Sequence, residues 1–167
     1  MAQGGARVMV SFSYEPLEHL LKTGLPDLCL ECWDKMDDGF YQEIFSPDWK
    51  LYKEQEDEKN LGFVAMRDEG KLVGYANIKI LGDIHQKDAR VALIHDIYIT
   101  EEKRGHAVAF FHYIEAFVQK MGAYRLDVAE RLSFDANRGG SGKFFAFAGF
   151  KPMEVIWAKV LGNEGTA

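Results

Sequence analysis

The stretch from Asp96 to Ala109, DIYITEEKRGHAVA, sets an apolar strand segment (Ile97, Ile99) directly before a short charged turn and a helix. The turn, Arg104-Gly105-His106-Ala107-Val108-Ala109, carries small side chains at three of its six positions. Small residues at such a junction leave backbone N–H groups accessible at a helix N-terminus. Those groups lack intrahelical partners and the helix dipole favours anions there, so the junction can seat phosphate oxygens. A glycine at a strand–helix junction can also serve packing alone. The second pair of chemically suggestive residues is Cys29 and Cys32, the only two cysteines, spaced C-x-x-C. A zinc or thioredoxin-like site would need a second ligand pair or a preceding strand and turn. The sequence has neither, and both thiols fall in the apolar-periodic stretch 25–36, so they are read as reduced thiols on a helix-packing face.

The elements that must position this junction fit in one domain, 167 residues being an ordinary domain length. Apolar residues make up 47% of the chain, with twelve Phe, seven Tyr and three Trp, which suffices for a continuous core. No apolar run approaches the roughly 20 residues a membrane-spanning helix needs. The start, Met1 to Arg7, lacks the basic segment and apolar block of a secretory signal, so a cytoplasmic location is expected. The formal charge of −6, with no basic cluster larger than Lys103-Arg104, argues against nucleic-acid or anionic-membrane partners and favours a cationic substrate. No metal is expected. Oligomeric state is not legible, and a homodimer is compatible with the sequence.

The periodicity predicts a first strand at 6–14, then two helices over 15–36 interrupted by Gly24 and opened again by Pro26. A loop and a short helix from about Pro47 follow. Residues 61–67 and 71–81 flank Asp68-Glu69-Gly70 and read as a hairpin. Another strand is expected at 90–100, a helix at 107–121 closed by Gly122, a strand at 124–129, a helix at 141–148 closed by Gly149, and a last strand at 153–161. The order β-α-α-ββ-β-α-β-α-β is an α/β (α+β) arrangement, a mixed sheet flanked by helices.

The junction resembles the acetyl-CoA motif of the GNAT superfamily of N-acetyltransferases, whose usual form is D-L-Y-V-x-P-x-x-R-G-x-G-x-G. Asp96-Ile97-Tyr98-Ile99 matches the strand part and Arg104 to Ala109 the loop, with alanine at the second and third glycines. SGKFFAFAGFKP, residues 141–152, is similar to the family's A-x-x-F-Y-x-x-x-G-F-x-P, and FVAMRDEGKLVGYANIKI looks like its second and third strands. The strand IHDIYIT and the helix FFHYIEAF are also similar to those of phage-encoded members. The resemblance spans about residues 61 to 161. It implies a mainly antiparallel mixed sheet of six to seven strands with the fourth and fifth splayed apart.

It also implies a chemistry. Acetyl-CoA would be the co-substrate, its pantetheine arm held by the backbone of Ile97, Tyr98 and Ile99. Its pyrophosphate would rest on Arg104, Gly105, His106, Ala107, Val108 and Ala109. The acetyl group would pass to an amine acceptor, small molecule or protein, by direct attack. His95 and Asp96 lie where the family often places its base. Adjacent strand residues face opposite ways, so only one should reach the cleft; His95 is favoured because histidine titrates near neutral pH. Phe145 stands where the family usually has a proton-donating Tyr, with Tyr98, Tyr113 or Ser141 as conceivable substitutes for that acid, and would itself pack against the cofactor arm. Asn137 is near the position of a pantetheine-binding Asn. In this fold the acceptor cleft is typically walled by the region that here holds Glu31, Asp34, Asp37, Asp38, Tyr41 and Trp49, an acidic and aromatic set suited to a cationic amine. The alternative is a catalytically silent acyl-CoA-binding or protein-interaction module.

Overall fold

The computed structural model describes residues 10–36, 45–129 and 142–153. Five strands form one sheet in the order of the chain: β1 (Ser11–Tyr14), β2 (Leu61–Asp68), β3 (Lys71–Gly82), β4 (Arg90–Ile99) and β5 (Ala123–Val128). The first four pair antiparallel and β5 runs parallel to β4, a mixed, mainly antiparallel sheet. Helices α1 (Leu17–Lys22), α2 (Leu25–Met36) and α3 (Trp49–Asp57) lie between β1 and β2; α4 (Ala107–Lys120) crosses from β4 to β5, and α5 (Gly142–Phe147) follows. The expected six to seven strands are thus five among the described residues. The strand expected at 153–161 lies, apart from Met153, outside them, as do residues 6–9 of the expected first strand.

Residues on both sheet faces are apolar because both faces are covered. Met66, Ile78, Ala92, Ile94 and Ile99 pack against Phe110, Phe111, Ile114 and Val118 of α4. Phe63, Leu72, Tyr75 and Tyr98 pack against Leu17, Leu20, Leu25, Leu28 and Cys32 of α1 and α2. β2 and β3 are consequently buried almost end to end, which is why their sequences read as near-continuous apolar runs. The i, i+3, i+4 spacing of α4 that predicts a helix is the spacing of its buried stripe. Gly122 closes it at φ +83°, a conformation that residues with a Cβ rarely adopt. Asp48 caps α3 by accepting from the Leu51 N–H at 3.0 Å.

One irregularity decides the site. Along β3 and β4, Asn77 pairs with Asp96 but Ile78 pairs with Ile94, so His95 is an extra residue in β4, a β-bulge. Ala92 and Ile94 face α4; past the bulge it is Ile97 and Ile99 that do so, while Tyr98 faces α1 and α2.

The edge of the hairpin is held by a largely, not fully, buried ion pair. Arg67 donates from Nη2 to Glu15 Oε2 at 2.6 Å and from Nε to Glu15 Oε1 at 2.8 Å, and also reaches Thr23 Oγ1 and the Gly70 carbonyl. The Arg67 hydrogen bonds hold the Glu15 carboxyl below its usual range, against the opposing effect of burial. A lowered folded-state value means the unfolded chain binds the proton more readily, so this contribution is complete above the unfolded carboxylate range. It fades as pH falls below about 4. Arg67→Ala, which strands the carboxylate, is expected to cost about 3 kcal/mol. Urea unfolding at pH 7 and pH 3 checks this: the gap between variant and parent should shrink at the lower pH.

Candidate active site

β5 accompanies β4 only from Arg90↔Ala123 to Ile94↔Val128. β4 continues to Ile99, paired on its other side with β3 up to Gly74↔Ile99. Among the described residues, the backbone edge of residues 95–99 that faces away from β3 therefore has no strand partner. An extended segment could pair along such an open edge. Beyond Ile99 the chain enters a 3₁₀ turn, Glu101–His106, and then α4, whose N-cap residue His106 makes no side-chain capping bond. Gly105 is exposed, and a Cβ built on it would meet nothing within 4 Å. Arg104 is exposed and only loosely paired with Glu101 at 3.7 Å. Lys103 pairs with Asp68 at the end of β2, fixing the turn to the hairpin.

On the α2 side of the sheet, at the level of the bulge, lies a pocket of about 330 Å³. Both His95 and Asp96 line it, together with Asn77 and Tyr75 of β3, Phe63 of β2, Cys29, Cys32 and Trp33 of α2, residues 45–47, and Trp49 and Tyr52 of α3. The expectation that only one of His95 and Asp96 would reach the cleft assumes regular alternation, and the bulge removes that assumption. His95 is exposed and, among the described residues, its ring has no hydrogen-bond partner. Asp96 accepts from Asn77 Nδ2 at 3.4 Å.

The acetyltransferase (GNAT) family model matches residues 28–151. The chain belongs to this family. No curated protein sequence matches it closely enough to name a relative. Solved structures share its fold at low identity. The ribosomal-protein-alanine N-acetyltransferase of Brucella melitensis biovar Abortus 2308 aligns with a TM-score of 0.70 and 15% identity, over 93% of this chain and 99% of that one. Glucosamine-6-phosphate N-acetyltransferase from Arabidopsis thaliana aligns at 0.67 and 12%, over 92% and 99%. The aminoglycoside N-acetyltransferase AAC(6')-Iy in complex with CoA aligns at 0.60 and 15%, over 91% and 100%.

Within the GNAT frame, the two alanines of the loop carry no backbone cost. Ala107 sits at φ −56° and Ala109 lies inside α4, and neither has the positive φ that would demand glycine. Gly74 is required instead by close approach: a Cβ there would stand 3.0 Å from the Tyr98 carbonyl oxygen and 3.3 Å from Met66 Cβ. Gly74→Ala is expected to cost about 1–3 kcal/mol, read by urea unfolding, because backbone must move rather than a side chain.

The remaining expected site residues are distributed as follows. Ile97 and Ile99 turn their side chains into the α4 core, leaving only backbone toward the open edge. Tyr98 points the other way: its hydroxyl donates to Glu31 Oε1 at 2.7 Å and accepts from Lys35 Nζ at 2.8 Å. Lys35 beside it holds the Glu31 carboxyl below its usual range, and burial raises the Tyr98 phenol. Tyr98 is thereby a tie between β4 and α2, its proton committed to a carboxylate. Phe145 packs edge-on against Phe111, Phe144 and Phe150, with ring centroids 5.9 Å apart in each case. Tyr113 packs on Phe12. Glu31 and Asp34 are not among the pocket-lining residues, whereas Trp49 is. Asn137, Ser141, Asp37, Asp38 and Tyr41 lie outside the described residues. Burial pushes the Cys29 thiol up to about 11, which leaves it protonated and a poor nucleophile at neutral pH. Sequence reasoning missed Asn77, Tyr52, Phe63 and Tyr75. The one available signal was a polar Asn in the middle of the otherwise apolar buried run VGYANI.

Proposed function

We propose that the chain is a single-domain N-acetyltransferase that moves an acetyl group from acetyl-CoA to a primary amine by direct attack within a ternary complex. The observation that carries this reading is the convergence at His95. The open edge of residues 95–99 leads into the uncapped start of α4, while the pocket opens from the same turn of strand on the opposite face. Donor and acceptor can then meet without either leaving its own face of the sheet, which is the geometry direct transfer needs.

The backbone of Ile97, Tyr98 and Ile99 holds the pantetheine arm, and Arg104, Gly105 and the first turn of α4 hold the pyrophosphate. An aliphatic amine is protonated at pH 7 and must lose a proton before its lone pair can attack. His95 accepts that proton, with Asp96 as its neighbour in the pocket. The new C–N bond forms at the thioester carbonyl, a strand N–H stabilises the oxyanion, and the C–S bond breaks. Phe145 cannot protonate the departing thiolate. A thiol pKa of about 8.5 makes that thiolate a good leaving group, and solvent returns the proton.

The test is calorimetric titration with acetyl-CoA, followed by CoA-release assays against a panel of amines. Saturable binding with turnover is the expected result. Binding without turnover across the panel would favour a silent acyl-CoA-binding module on the same fold. Absence of acetyl-CoA binding would end both readings.

A further inference from the structure

Glu101, in the 3₁₀ turn before α4, stands between two cations. Its Oε1 lies 3.7 Å from Arg104 Nη2 and 3.9 Å from Lys35 Nζ. Both separations exceed hydrogen-bond length, so one carboxylate oxygen is divided between a residue of the turn and a residue of α2. Lys35 is otherwise firmly held. Its ammonium donates to Glu31 Oε1 and to the Tyr98 hydroxyl, each at 2.8 Å, and that hydroxyl donates to Glu31 Oε1 at 2.7 Å. An ammonium has three donors, and this triangle uses two of them.

The triangle and the shared carboxylate join parts of the molecule with different tasks. Arg104 belongs to the turn proposed above to seat the pyrophosphate. Lys35 is in the last turn of α2, the helix that gives Cys29, Cys32 and Trp33 to the pocket wall. Tyr98, 8% exposed, anchors the triangle in β4. An anion that engages Arg104 draws its guanidinium off Glu101. Lys103 is already committed to Asp68, so the released carboxylate turns to Lys35 and takes the third donor.

We infer that Lys35 is a positioning residue: an anion held by Arg104 hands Glu101 to Lys35, which fixes the α2 wall of the pocket against β4. This rests on the reading of the turn as the acetyl-CoA seat and goes beyond it, tying the pocket wall to occupancy of the turn. By linkage, a fixed α2 strengthens cofactor binding by the same factor.

The test is hydrogen–deuterium exchange of the full chain with and without acetyl-CoA, read on peptides from α2 and β2. Parent, Lys35→Met and Glu101→Gln are each measured at the same multiple of their own calorimetric Kd, so that general stabilisation by the ligand is equal. Exchange in β2 should then slow alike in all three. In α2 it should slow about two- to fivefold more in the parent than in either variant, the worth of one exposed ion pair. Glu101 is 64% exposed, so a purely structural role for the triangle predicts no effect of Glu101→Gln. Retention of the extra slowing in either variant, or its absence from the parent despite binding, overturns the inference and leaves the transferase reading standing. No acetyl-CoA binding by calorimetry overturns both.

Discussion

Gly105→Glu should lower acetyl-CoA affinity by about 100-fold or more, while leaving the fold intact. The two halves of this expectation have separate grounds. A side chain at 105 projects into open space, with nothing within 4 Å of its Cβ and no positive φ to disturb, so the folded state has no reason to object. The same openness places a carboxylate at the turn before α4, where an incoming pyrophosphate would meet like charge instead of backbone donors and Arg104. Calorimetry on parent and variant measures the first half; urea midpoints measure the second. Undiminished affinity in a normally stable variant would mean the anion seat is elsewhere. Gly105→Ala is the companion measurement, and a near-parental affinity is expected because a methyl group adds little bulk and no charge.

His95→Gln should reduce kcat by about 10²- to 10⁴-fold, the range over which a positioned base contributes. Acetyl-CoA affinity should be unchanged, since His95 lines the pocket while the proposed cofactor seat is backbone further along the chain. The acid limb of the kcat/KM profile should flatten in the variant, because it reports the group that must be free to accept the amine's proton. A limb that persists in His95→Gln and vanishes in Asp96→Asn would transfer the role to the neighbouring carboxylate. The bulge makes this a real comparison: it brings two consecutive side chains to one pocket, which regular strand alternation would forbid.

The element order was legible in the chain because each element carries its own local signal. Residues 107–121 show the helical period that α4 then buries, Gly122 marks its end, and Asp68-Glu69-Gly70 marks the hairpin turn between β2 and β3. The strand–turn–helix junction at 104–109 was legible for the same reason, since small residues between a strand and a helix are a short-range pattern. The acceptor wall was less so. The acidic and aromatic stretch before β2 suggested a cationic site, yet Glu31 is bound to Lys35 and Tyr98, and Asp34 lies outside the pocket. The carboxylate that lines the pocket, Asp96, comes from the strand.

By itself, the sequence determined that this protein has a GNAT-type order of strands and helices and a small-residue turn at 104–109 between a strand and a helix. Those features depend on residues within a few positions of one another, and periodicity and turn chemistry report them directly. Only the tertiary structure decided that the β5 pairing with β4 ends at Ile94, that His95 is a bulge, and that the Asn77 side-chain oxygen is buried without a partner. Each of these is a relation between residues far apart in the chain. A strand carries no mark of where its neighbour will stop pairing, and a buried asparagine carries none of whether its partner will be present.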